Sequence, residues 1–176
     1  MAEKIRVMYS EQEVADRIQE IADQINKDYE GKEIHMIGIL RGGCYFMCEL
    51  SKRITVPVTI DFMSASSYGM STTSSGVVKI VKDLEESIVG RNVIVVEDII
   101  DTGRTLSHLL KMLEERGPES LKLCTLLDKP DRRVVQVNID YNGYSIPDEF
   151  VVGYGLDYAQ KYRNLPYIGV VEFDEE

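Results

Sequence analysis

Histidine, cysteine and positive charge are all in short supply, and each shortage removes a class of function. The chain has 2 histidines in 176 residues, His35 and His108. They fall in a strand-like and a helix-like stretch, where a structural role is the ordinary one. No Ser-His-Asp or Cys-His nucleophile system can be assembled around them. The 3 cysteines, Cys44, Cys48 and Cys124, are odd in number and sit in apolar segments, so they read as buried reduced thiols rather than a disulfide framework. Cys44 and Cys48 are four apart on a predicted helix, but with no histidine or third cysteine nearby they make no metal site. Lys+Arg number 20 against 30 Asp+Glu, a net charge of −10. That deficit argues against broad binding to nucleic acid or an anionic membrane, while leaving room for a local basic pocket. No apolar run approaches the length of a membrane span, and "MAEKIRVMYS" lacks the apolar core of a signal peptide. The expectation is a soluble, cytoplasmic protein. Two phosphate motifs are also missing: there is no G-x-x-x-x-G-K-[ST], and "GYGLDY" at 153–158 falls short of G-x-G-x-x-G.

What is present suits one globular domain over 1–176, since hydrophobic residues make up 44% and the length allows a sizeable core. Ser10-Glu11-Gln12-Glu13 is a capping-box pattern. Val14, Ile18, Ile21 and Ile25 then mark one face of a helix ending near Gly31. "IHMIGIL" before Arg41-Gly42-Gly43 reads as a buried strand and tight turn, followed by a helix over 45–53 and a strand over 56–63. Residues 64–76, "SASSYGMSTTSSG", hold 6 serines, 2 threonines and 2 glycines, leaving almost nothing to bury, and are expected to form a mobile loop. The strand-like "VVKIVKD" follows. Residues 92–97 are continuous and β-branched, as in a strand covered on both faces. A helix over 105–116 stops at Gly117-Pro118. Further strands are expected at 121–127, 134–139, 150–154 and 167–173. Alternating strands and helices indicate an α/β fold with a mainly parallel sheet.

The most informative stretch is "VIVVEDIIDTGRTL", 93–106. A chain would rarely end its most apolar strand in Glu97, Asp98 and Asp101 merely to cap it. In such sheets ligands bind beyond the carboxyl ends of the strands. The turn after the acids leads into a helix N-terminus, where free N–H groups and the dipole favour an anion. Gly103 permits close approach, and Thr102 and Thr105 add hydroxyls, so the turn suits a phosphate monoester. The acids suit sugar hydroxyls or a Mg²⁺ ion held partly through water. Phosphate and ribose hydroxyls together describe a phosphorylated ribose.

"VVEDIIDTGRTL" resembles the phosphoribosyl-pyrophosphate (PRPP) motif of type I phosphoribosyltransferases, most closely that of the hypoxanthine-guanine branch. "ILRGG" (39–43), "SSY" (66–68), "LLDK" (126–129) and "DEFVVGYGLDYAQKYRNLP" (148–166) stand where that family carries functional segments, so the likeness spans nearly the whole chain. The resemblance implies the type I phosphoribosyltransferase fold, with a small hood formed by C-terminal and N-terminal segments. It implies that Glu97 and Asp98 engage the ribose hydroxyls and Mg²⁺, and that Asp101 is the general base at purine N7. Asp101, Thr102, Gly103, Arg104 and Thr105 would cradle the 5-phosphate. Arg41 and Gly42 would hold pyrophosphate after a cis Leu40–Arg41 peptide, and Arg163 would contact pyrophosphate too. Lys129 would donate to the base O6, Phe150 would stack on the ring and the Val151 backbone would read its edge. Asp157, beside the base, would help place a second Mg²⁺. Ser67 and Tyr68 would be the contact point of a lid.

The reaction so implied joins hypoxanthine or guanine to PRPP, giving IMP or GMP and pyrophosphate, a step of purine salvage. A lysine donor at position 129 suits a 6-oxo group and opposes the amino group of adenine. The partners implied are these small molecules and further copies of the chain, as a homodimer or homotetramer. Two rivals remain: a related transferase acting on xanthine or a pyrimidine, and a PRPP-sensing regulator that binds nucleic acid. The regulator would need a basic face, which the net charge opposes.

Overall fold

The computed structural model describes residues 3–68 and 77–173. Its centre is a six-stranded sheet in the order β4-β3-β2-β5-β6-β7. In sequence these are β2 (Ile34–Ile39), β3 (Val58–Tyr68), β4 (Val77–Lys82), β5 (Asn92–Ile100), β6 (Ser120–Asp128) and β7 (Tyr141–Ser145). All neighbours pair in parallel except β3 and β4. Chain direction across the sheet reverses between β2 and β5, which makes the space above their carboxyl ends a ligand crevice.

The continuous aliphatic run of β5 is explained by two cores. Ile94 and Val96 pack into one, with α1 (Glu11–Asp28) and α2 (Cys44–Ser51); Val93 and Val95 pack into the other, with α3 (Arg104–Glu115). Both pleat faces are therefore covered, and no polar alternation survives. His35 is buried in β2 and His108 is exposed on α3, so neither enters the crevice.

A second, three-stranded sheet of β1 (Glu3–Tyr9), β9 (Ile168–Phe173) and β8 (Val151–Val152) forms the hood. Here the structure corrects several expectations. β1 was unforeseen because its burial alternates weakly and its only ladder partner among the described residues lies at the far end of the chain. Residues 134–139 are not a strand: the Val134 and Val135 N–H groups donate to the Thr102 carbonyl at 2.9 and 3.1 Å instead of to a ladder. The strand in this region is β7. The serine-rich loop starts later than 64, because Ser64–Tyr68 extend β3 and pair with β4; residues 69–76 lie outside the described part. Among the described residues, no helix is long and apolar enough to cross a membrane.

Candidate active site

β5 carries its acids while still in the ladder. Glu97 pairs with Thr125 of β6, and Ile100 pairs with Asp128. Register therefore brings Asp101 level with Lys129, whose N–H donates to the Ile100 carbonyl at 3.0 Å. Gly42, Glu97, Asp98, Asp101, Thr102, Gly103 and Thr105 line one cleft of about 310 Å³.

The carboxyl groups of Glu97 and Asp98 lie close enough for each to shift the other's proton affinity. Burial, then the neighbouring Asp98, pushes Glu97 well above the usual carboxyl range. Burial raises Asp98 as well, against the opposing effects of Glu97, the Ile99 N–H and Arg163. Asp98 Oδ1 accepts from the Ile99 N–H at 2.7 Å. Its Oδ2 lies where a side chain on residue 42 would begin: a Cβ on Gly42 would stand 1.8 Å from it. Two neighbouring carboxyls in a partly closed cleft are oxygen donors that a hard divalent cation would suit, and added positive charge would favour their ionised forms. Asp157 does not join them. Among the described residues no three His, Cys, Asp or Glu side chains gather into a metal cluster.

After Asp101 the chain turns through Thr102 into α3. Gly103 caps the helix with φ 81°, and a Cβ there would be 2.6 Å from the Val135 carbonyl oxygen, so glycine is required twice over. No side chain caps this helix and no acid stands in its first turn. The Thr102 Oγ1 accepts from the Arg104 N–H only at 3.4 Å. The cleft thus borders a helix N-terminus whose donors meet, among the described side chains, only that one long contact.

The turn after β2 contains the cis Leu40–Arg41 peptide that the resemblance implies, with Arg41 exposed. Gly155 of the hood, at φ 98°, rests on this turn so closely that a Cβ would stand 2.0 Å from the Gly42 carbonyl oxygen. Arg163 Nη1 donates to the Gly155 carbonyl at 2.6 Å, and Arg163 Nη2 pairs with Asp157 at 3.1 Å. Asp157 also accepts from the Gln160 N–H at 2.9 Å. The "GYG" of 153–155, unimpressive as a nucleotide motif, is thus a backbone contact joining hood to core.

Lys129 follows the last rung of the β5–β6 ladder beside Asp101, whereas Phe150 and Val151 are not among the residues lining the cleft. The Lys129 side chain is 11% exposed and its Nζ lies 3.4 Å from Asp148 Oδ1. Phe150 is 49% exposed and meets Tyr158 edge-on, centroids 5.5 Å apart. The Val151 side chain is buried in the core, with its backbone in the β8–β9 ladder. Ser67 is exposed on β3; Tyr68 closes the described part of that strand, and Ala65 just before them lines the cleft.

Sequence reasoning passed over Arg132, Arg133 and Asp148. Arg132 Nε donates to Asp101 Oδ1 at 2.7 Å, and Arg133 Nε donates to the Asp101 carbonyl at 3.2 Å. Arg133 also pairs with Asp128. The signal was two consecutive arginines three residues beyond Lys129, but only the docking of 132–135 onto the Asp101–Gly103 turn gives them a target.

Comparison with known proteins agrees with this arrangement. Residues 8–159 match the phosphoribosyl transferase domain family. A hypoxanthine phosphoribosyltransferase of Buchnera aphidicola is 53% identical over 175 residues, 98% of this chain and 99% of the relative. The bifunctional protein TilS/HprT of Listeria monocytogenes is 51% identical over 167 residues, which are 95% of this chain and 26% of that protein. A crystal structure of a hypoxanthine-guanine phosphoribosyltransferase from Bacillus anthracis superposes with a TM-score of 0.92 at 50% identity, covering 96% of this chain and all of that one. The fold is shared with that solved structure, and the chain belongs to the phosphoribosyl transferase domain family.

Proposed function

We propose that the chain transfers the phosphoribosyl group of PRPP to hypoxanthine or guanine, releasing pyrophosphate, and so serves purine salvage. The observation that carries this reading is the end of the β5–β6 ladder, which sets Asp101 and Lys129 side by side next to an uncapped helix N-terminus. The names of the near-full-length relatives support the same substrates.

In this reading the turn from Asp101 to Thr105, leading into α3, binds the 5-phosphate through N–H groups and threonine hydroxyls. Glu97 and Asp98 hold the ribose hydroxyls together with Mg²⁺. When bound, Mg²⁺ supplies positive charge to the departing pyrophosphate. Arg41, the Gly42 backbone and Arg163 orient that group from the β2 side, with Asp157 aligning Arg163 and any second Mg²⁺. Lys129 donates to the 6-oxo group, Phe150 stacks on the ring and the Val151 backbone reads its edge. Asp101 accepts the N7 proton as N9 attacks C1 of the ribose, a contribution of about 10²–10⁴-fold for a positioned base. The segment 64–76, of which 69–76 lie outside the described residues, serves as a lid with Ser67 and Tyr68 as its contact point and excludes water. All 176 residues act as one catalytic unit, assembled as a homodimer or homotetramer.

The test is product formation from PRPP and Mg²⁺ with hypoxanthine, guanine, xanthine, adenine and uracil offered separately, beside Asp101→Asn. IMP and GMP formation, falling at least about a hundredfold in the variant, is the expected result. PRPP binding without turnover of any base would overturn the reading in favour of a sensor.

A further inference from the structure

Four charged side chains beside the base subsite alternate in sign along one line. Asp101 Oδ1 is 2.7 Å from Arg132 Nε, Arg132 Nη1 is 3.5 Å from Asp148 Oδ2, and Asp148 Oδ1 is 3.4 Å from Lys129 Nζ. Asp148 therefore divides its two oxygens between the cations of two different functional groups. One is the ammonium assigned to the 6-oxo group of the purine. The other is the guanidinium that holds the proposed proton acceptor.

Stability does not account for the arrangement. The side chains of Asp101, Arg132 and Asp148 are 48%, 45% and 50% exposed, and ion pairs at that exposure contribute little to folding. The 3.4–3.5 Å separations from Asp148 are long for strong hydrogen bonds. Lys129 is different, with its side chain only 11% exposed. A charge so enclosed needs a fixed partner, and Asp148 is the carboxylate that meets it. The other end of the line is anchored as well: Arg133 holds the Asp101 carbonyl while Arg132 holds one of its carboxylate oxygens. Neither contact engages Oδ2 of Asp101.

Resting on the purine reading above, we infer that Asp148 and Arg132 are positioning residues. Through them one carboxylate sets both the donor that recognises the purine 6-oxo group and the orientation of the base that removes the N7 proton. Recognition and proton transfer are then coupled: a purine that engages Lys129 finds Asp101 already aligned.

The inference is tested by steady-state kinetics of wild type, Asp148→Asn, Arg132→Gln, the double variant and Asp148→Glu. Each single neutral variant should lower kcat/KM for hypoxanthine about tenfold, a loss within the range of coupled charge pairs. KM for PRPP should stay within about twofold, because the phosphate turn and the Glu97–Asp98 pair are untouched. The double variant should lose about as much as either single one, since members of one network are not additive. Asp148→Glu, which keeps the charge, should recover most of the loss. The thermal midpoint of Arg132→Gln, whose own ion pairs are exposed, should hardly move, which separates positioning from folding. Wild-type kinetics in Asp148→Asn, or losses that multiply in the double variant, would overturn the inference while leaving the purine reading intact. A wild-type chain that turns over no purine would overturn both.

Discussion

Two helices of this protein begin in opposite ways. α1 starts with a complete capping box: Ser10 Oγ accepts from the Glu13 N–H at 3.2 Å and the Glu13 carboxylate accepts from the Ser10 N–H at 2.7 Å. Glu11 and Glu13 add negative charge to its first turn. α3 starts on a left-handed glycine, with no side-chain cap and no acid in its first turn. The first helix satisfies its own donors and is worth that much more to stability. The second leaves them open at the edge of a cleft. The contrast supports the proposal that the start of α3 receives a phosphate.

Thr105→Asp would break the comparison most severely, because it gives α3 the acid that α1 already has. The new carboxylate should favour the helix by roughly 0.5 kcal/mol and yet repel phosphate, raising KM for PRPP about a hundredfold. Denaturant unfolding and initial rates, measured on the same sample, should move in these contrary directions.

The acids near the two helices differ as well. Those of α1 lie on its exposed first turn, whereas Glu97 is partly buried against Asp98 with its proton affinity raised. A carboxyl whose folded pKa lies above its unfolded value contributes stability below the unfolded pKa and loses it as pH rises through the folded one. Without Mg²⁺ the protein should therefore lose stability as pH climbs from the ordinary carboxyl range towards neutrality. Glu97→Gln should melt above wild type at neutral pH, and millimolar Mg²⁺ should narrow that gap. Equal midpoints for the two proteins across the whole pH range would contradict this.

The smallest effect belongs to α1 itself. Ser10→Ala removes the cap and should cost about 1 kcal/mol of stability, with kcat and both KM values unchanged. A change in PRPP affinity would show that α1 is not the inert member of the pair.

How much of this could be read from the sequence depends on how far apart the contacting residues lie. The phosphate turn and its acids occupy consecutive positions, so their chemistry shows in a single stretch. The buried strands betray themselves by runs such as Val93–Val96, because both pleat faces need apolar side chains. β1 was lost because, among the described residues, it pairs only with β9, more than 150 residues away, and no local pattern records that. Val134, Val135 and Val137 looked like a strand because β-branched spacing is blind to where the N–H groups go. Here those of Val134 and Val135 go to Thr102. The Arg132–Asp101 contact joins residues 31 apart and exists only because that same segment docks.

The pairing of β1 with β9 has a mechanical consequence. Glu3 stands opposite Phe173 in an antiparallel register, so the described ends of the chain leave from the same end of one ladder. Tension applied between them would unzip that ladder one rung at a time rather than shear all its hydrogen bonds together. The hood would peel away at low force, taking the Phe150–Val151 wall with it, before load reached the six-stranded sheet. An optical-tweezers trace should then show a small early step ahead of the main rupture. Substrate held between hood and core would raise the force of that first step, making the hood a gauge of occupancy.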